Sequence, residues 1–324
     1  MPYHLTRRSV LRVAVGGVLA GRKLTTAQTA SMAWSYPIGR PGGVPGDGFI
    51  IRVGYACENL PSFPGWWHTG ENWHGIEGET AGAEIYACAA GEIVFAGYDY
   101  PGPVVIVQHD SDLYSMYGHL AYTLDVTTGD RVARGQRLGR VLQRSDAPSH
   151  LHFEVRTFYE RREVNGTEPS YGVHCGEDCP PGPGYWPMMA PEHPSDLGWR
   201  HPVHAIARRA FAGDDVPAGT EVVVAEGAAE RTEVWSAPEG TSGATPVGDW
   251  ALRAGDRYPL LAIKAGDEAT TVTSAENYRL WYRIGLPESG AGWVRAVAPV
   301  DLATGSDGRA SAVQFHFLPV GRSV

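Results

Sequence analysis

The chain has 324 residues and a formal net charge of −9. It carries no Lys/Arg cluster or basic stripe beyond its N-terminus, which argues against nucleic acid or an anionic membrane surface as partner. The 41 glycines and 24 prolines, with charged residues at only 19%, predict many turns and short strands, and no segment reaches the ~18 unbroken apolar residues of a spanning helix.

Residues 1–30 read as an export signal. Thr6-Arg7-Arg8-Ser9-Val10-Leu11-Arg12 precedes a weakly apolar run, Val13 to Ala20, and small residues follow with a cleavage point near Ala30. Paired arginines ahead of such a run are the pattern of a twin-arginine signal. It places the mature chain outside the cytoplasm, secreted or in the cell envelope, after export in the folded state. Arg22 and Lys23 behind the apolar run are awkward for cleavage, so an uncleaved anchor stays open. Residues 31–65 form an N-terminal extension.

Four histidines then dominate the chain: His68, His119, His150 and His152, in the segments HTGENW, YGHL and HLHFEV. Side chains of an extended strand alternate faces, so His150 and His152 point to one side while Leu151, Phe153 and Val155 point to the other. Two imidazoles side by side make a poor core and a good metal site, since neutral imidazole is a standard zinc ligand. If residues 68–74 are extended, His68, Asn72 and His74 share a face and Glu71 does not.

From Trp66 to Arg156 the order of these segments resembles the M23 peptidases, the lysostaphin-like or LytM-type zinc endopeptidases of bacterial cell walls. The matching residues are His68 to Asn72, then Ala87-Cys-Ala-Ala-Gly91-Glu-Ile-Val94, Tyr117-Gly-His119-Leu120, Val126 through Gly139, and His150-Leu-His152-Phe-Glu154. An ordered series of this length is far more specific than any one motif. The resemblance implies zinc held by His68, Asn72 and His152. It implies that His119 and His150 orient a water, accept its proton and stabilise the developing oxyanion. A catalytic zinc keeps three protein ligands and one open position, lowers the pKa of its water to about 7 and polarises a carbonyl. The family has Asp where this chain has Asn72. An amide oxygen binds zinc without adding negative charge, so the ion is held less tightly and stays more electrophilic. Glu71 and His74 remain alternatives for completing the site. The implied activity is hydrolysis of peptide bonds in peptidoglycan stems or cross-bridges, by a monomer. Gly–Gly, D-Ala–Gly and D-Ala–diaminopimelate bonds are all cut within the family. The competing reading is a catalytically weak or inactive peptidoglycan-binding protein that activates other wall hydrolases, although such members usually lack several of the four histidines.

Residues 66–206 make up the expected peptidase domain, with an insertion at 158–205 rich in Pro, Gly and aromatics that is a candidate wall of the cleft. Trp66, Trp67, Trp73, Tyr185 and Trp186 are candidate cleft aromatics, though aromatics in a β-domain more often build core. The four cysteines fit an oxidising compartment: Cys175 and Cys179 suit a short-loop disulfide, and Cys57 with Cys88 a second bridge. Residues 218–298 carry short alternating strands ending in Gly292-Trp-Val294, resembling a bacterial SH3-like domain that assists wall binding, with residues 299–324 as a tail. The expected fold is mostly β: an antiparallel two-layer β-sheet peptidase domain followed by a small SH3-like β-barrel. On that division, a chain ending near Arg208 is expected to keep its zinc and its turnover of small peptides.

Overall fold

The alternation in HLHFEV forms the strand Leu151–Arg156, all six residues of which are buried. It lies inside a ten-stranded sheet, paired antiparallel with Tyr114–Gly118 on one side and Glu71–Gly75 on the other. The computed structural model describes residues 32–321 except 61, 100–101, 111, 162–163, 165–181, 183, 214, 272–276, 288–289 and 305–309. The expected signal at 1–30 and the Cys175 and Cys179 pair lie outside the described residues.

In spatial order the sheet runs Arg131–Val132, Gly91–Asp99, Gly102–Gln108, Tyr114–Gly118, Leu151–Arg156, Glu71–Gly75, Phe49–Val53, Ala310–Phe315 and Val297–Thr304, with Trp199–Arg200 pairing off Leu151–Arg156. The fold is mostly antiparallel β, as the turn-rich composition predicts. Among the described residues, no helix is long and apolar enough to cross a membrane.

The C-terminal half is not a separate bead. A second sheet, of seven strands, runs Pro246–Ala251, Arg231–Trp235, Gly290–Arg295, Leu280–Leu286, Arg257–Ala265, Glu221–Val224 and Phe317–Val320. Its two end strands are not paired with each other in that order, so no barrel closure is seen among the described residues. The segment expected to be a tail supplies strands to both sheets. Ala310–Phe315 pairs with Phe49–Val53 at Ile50↔Gln314 and Ile51↔Val313, and Phe317–Val320 pairs with Glu221–Val224. Phe315 stacks on Trp73 with ring centroids 5.2 Å apart and meets Tyr36 edge-on at 4.8 Å. One buried apolar cluster therefore runs from Trp73 and Phe153 through Phe315 to Leu280 and Ile284.

The bridge expected between Cys57 and Cys88 is not formed; both thiols are reduced and buried. Their surroundings explain it. Cys57 accepts the His68 backbone N–H, whereas Cys88 sits elsewhere in the core, its Sγ 3.8 Å from His109 Nε2. Burial pushes the Cys88 thiol up to about 11, which makes it inert.

Candidate active site

His68 ends the strand Phe63–His68, and the chain turns at Thr69 and Gly70 into Glu71–Gly75. The turn must press against Leu151–Arg156: a Cβ on Gly70 would lie 2.4 Å from the Phe153 carbonyl oxygen. Only glycine permits this approach. It sets Asn72 directly across from His152 in the strand register, on the same face.

Three side-chain atoms converge there. His68 Nε2 is 3.1 Å from His152 Nδ1, which is 3.2 Å from Asn72 Oδ1. The opposite ring nitrogens are spoken for. His68 Nδ1–H donates to the Gly54 carbonyl at 3.2 Å, and His152 Nε2–H donates to Glu154 Oε1 at 3.1 Å. In these tautomers all three converging atoms are acceptors, and no proton lies among them. The two spacings about His152 Nδ1 suit one small cation, since tetrahedral bonds of about 2.0–2.1 Å put neighbouring donors ~3.3 Å apart. His68 and His152 are buried, with Asn72 only 5% exposed. Burial, then the neighbouring His152, drives the His68 pKa well below its ordinary value, keeping the ring neutral and able to ligate.

Glu154 anchors this arrangement. It is fully buried and accepts from Thr69 Oγ1 at 2.6 Å and Trp199 Nε1 at 3.0 Å, with Arg156 Nη1 3.5 Å away. Burial opposes its ionisation, but the hydrogen bond from His152, the charge of Arg156 and the Thr69 hydroxyl outweigh it and hold the carboxyl below its ordinary value. A carboxylate behind a ligating histidine fixes the tautomer and raises ligand basicity.

His119 and His150 form a second pair at the mouth. Their rings meet edge to face at 4.6 Å. His150 Nδ1–H donates to the Pro148 carbonyl at 2.9 Å, which leaves Nε2 as a base, and burial lowers its pKa to about 4. His119 holds a left-handed backbone, φ 61°, a conformation rare for non-glycine residues and frequent at functional sites. Arg144 Nη1 lies 3.5 Å from His119 Nε2. His74 stands behind this pair, its ring stacked on His150 at 4.9 Å. Glu71 faces away, accepting from Trp73 Nε1 at 3.1 Å and Tyr278 Oη at 2.9 Å. Residues 68–74 are not one extended run, because the chain turns at Thr69 and Gly70; within the strand Glu71–Gly75 the expected alternation holds, with Asn72 and His74 on one face and Glu71 on the other.

Residues 71–166 match peptidase family M23. The matched stretch includes Asn72, His119, His150 and His152, and leaves His68 just outside it. Among solved structures, a zinc-containing peptidase from Vibrio cholerae is 24% identical, with 39% of this chain and 37% of that one covered and a TM-score of 0.30. Lysostaphin from Staphylococcus simulans is 12% identical, with 90% of this chain and 100% of that one covered and a TM-score of 0.33. This chain thus spans well under half of the Vibrio protein. No curated protein matches the chain.

The matched segment opens into a cleft of about 730 Å³ that His119, His150, His152 and Asn72 line. The insertion supplies one wall. Tyr185–Pro187 pairs with Phe63–His68, placing Tyr185 opposite His68, and the Tyr185 ring stacks on Phe63 at 4.0 Å. Of the five candidate aromatics, Tyr185 lines the cleft, while Trp73 and Trp186 are buried in core. Sequence reasoning passed over Glu154, although it lies two residues beyond His152 and so on the same face. It also passed over Gly54, Thr69 and Trp199, which no local period connects to the site.

The buried and half-buried histidines are expected to make folding acid-sensitive. Burial lowers His74 from 6.5 to about 3, and His109, His150 and His204 to about 4. A depressed folded pKa contributes stability that is complete above 6.5 and is lost as pH falls toward 4. Glu71, raised by burial from 4.5 to about 8, works in the opposite direction. One group cannot offset four at roughly 1 kcal/mol each per pH unit. The metal-free chain should show a lower urea midpoint at about pH 5 than at about pH 7.5; an equal or higher midpoint at the acid end refutes this.

Proposed function

We propose that the chain is a zinc-dependent endopeptidase that hydrolyses peptide bonds in bacterial peptidoglycan stems or cross-bridges. The observation that carries this reading is the convergence of three proton-free acceptors, His68 Nε2, Asn72 Oδ1 and His152 Nδ1, each ring fixed from behind by a hydrogen bond from its other nitrogen. Those residues would hold the metal. Asn72 is favoured over Glu71 and His74 because Glu71 is engaged on the opposite face and His74 packs behind His150. When bound, zinc supplies Lewis acidity toward a water and the scissile carbonyl.

The remaining steps belong to the chain's own groups. His150 Nε2 accepts the proton of the attacking water and returns it to the leaving amine. His119, beside it and near Arg144, stabilises charge developing on the carbonyl oxygen. Glu154 holds the His152 ring and excludes water behind it. The rim of Phe63 and Tyr185 positions the peptide along the cleft. The C-terminal sheet, which we read as SH3-like, holds the enzyme to the wall outside the cytoplasm. His119, His150, His152 and His68 are all present, which favours this reading over a hydrolase activator.

Purified chain should contain close to one zinc, and mass spectrometry of fragments released from defined peptidoglycans should show cleavage at one class of peptide bond. A chain that takes up no zinc and releases no fragment would instead be a wall-binding activator. Asn72→Asp should tighten zinc binding, because a carboxylate adds charge at a point 3.2 Å from His152 Nδ1. Weaker binding in that variant would remove residue 72 from the ligand set.

A further inference from the structure

The C-terminal half meets the backbone behind the proposed zinc site at the Gly54–Tyr55 peptide. The Gly54–Tyr55 peptide presents its carbonyl to His68 Nδ1 at 3.2 Å, and its N–H donates to Tyr278 Oη at 2.9 Å. The same tyrosine hydroxyl donates to Glu71 Oε1 at 2.9 Å, and Glu71 immediately precedes Asn72. Tyr278 is 3% exposed, so water does not compete for these bonds. A second grip comes from the same half: the Gly54 N–H donates to the Ser311 carbonyl at 3.0 Å. Contact is tight, since a Cβ on Gly54 would lie 2.9 Å from Tyr278 Oη.

We propose that Tyr278 is a positioning residue for the zinc ligands His68 and Asn72, contributed by the C-terminal half of the chain. This rests on the zinc reading above. The tyrosine hydroxyl fixes the Gly54–Tyr55 peptide plane, whose carbonyl in turn sets the tautomer and ring angle of His68. Its bond to Glu71 fixes the start of the strand that carries Asn72. Hydrogen bonds in series across one peptide also polarise one another, so the Tyr278 bond strengthens the carbonyl that His68 leans on. The C-terminal half is therefore part of the metal site.

The test compares zinc dissociation constants, by competition with a chromogenic chelator, across full-length variants whose melting temperatures are also measured. Tyr278→Phe keeps the ring and removes the hydroxyl; its zinc Kd should rise about 10–100-fold, the usual effect of losing an outer partner of a metal ligand. Gly54→Ala, which forces the peptide off the hydroxyl, should weaken zinc in the same direction. Tyr258→Phe is the control. It removes one buried-hydroxyl bond in the same half, from Trp250 Nε1 at 3.0 Å, and should lower the melting temperature while leaving the zinc Kd at the wild-type value. A Tyr278→Phe chain that binds zinc like the wild type overturns the inference and leaves the zinc reading standing. So does a Tyr258→Phe chain that loses zinc as strongly as Tyr278→Phe, because general loosening would then explain both. A wild-type chain that binds no zinc overturns the zinc reading and this inference together.

Discussion

Replacing His150 by alanine is expected to lower kcat by about 10²–10⁴-fold, the range for loss of a general acid–base, with zinc content unchanged. That range corresponds to about 3–5 kcal/mol of transition-state stabilisation. The expectation follows from what the ring touches. Its Nδ1–H is held by the Pro148 carbonyl, and its neighbours are the rings of His119 and His74. The hydrogen bonds that orient His68 and His152 run to Gly54 and Glu154 instead. Removing the imidazole thus deletes the base at Nε2 and leaves the three converging acceptors in place. A role confined to the transition state should depress kcat and kcat/KM together. Zinc analysis beside steady-state kinetics on a soluble cross-link peptide decides the matter. Loss of zinc in His150→Ala would exchange the roles of the two histidines in HLHF, and unchanged turnover would remove His150 from the mechanism.

A chain ended at Arg208 is expected to be largely unfolded and to take up no zinc. Read from the sequence alone, the same truncation should be harmless, because the peptidase motifs end by Arg156. The structure reverses this. Truncation strips Ala310–Phe315 from the edge of Phe49–Val53, leaving unpaired backbone groups on a strand next to the one that carries Asn72. It also removes Phe315, fully buried against Trp73 and Tyr36. Deleting one buried Phe side chain typically costs about 3–5 kcal/mol, and a whole domain is stable by only about 5–15 kcal/mol. The truncation deletes Val313, Phe317 and Leu318, also fully buried, along with the Tyr278 hydroxyl. Circular dichroism, thermal melting and zinc uptake of the shortened chain are the measurements. A cooperative melt with full zinc content would mean that residues 31–208 close a core of their own.

The site divides by the range of the forces that build it. The placement of His150, His152 and Glu154 on one face is a local matter: the two-residue alternation of a strand sorts side chains whatever the rest of the chain does. The spacing from His68 to Asn72 and the mostly β character also sit within short windows of the sequence. What local windows cannot encode is which distant segments become neighbours. Register is chosen by the summed burial of whole faces, so only the folded chain sets Asn72 across from His152, or brings Trp199 to Glu154. Cys57 and Cys88 have the right compartment logic for a bridge, yet packing buries them in different surroundings. The end of the chain carries no motif and reads as a tail, although its apolar strands are what complete both sheets. Tyr278 is the extreme case. It lies 207 positions from Glu71, and nothing near it in sequence resembles a metal site. The sequence by itself determined the candidate ligands and, for His152, the strand that presents it, because those depend on spacing; tertiary structure decided what holds them together, because that depends on contacts between segments that only a shared core draws together.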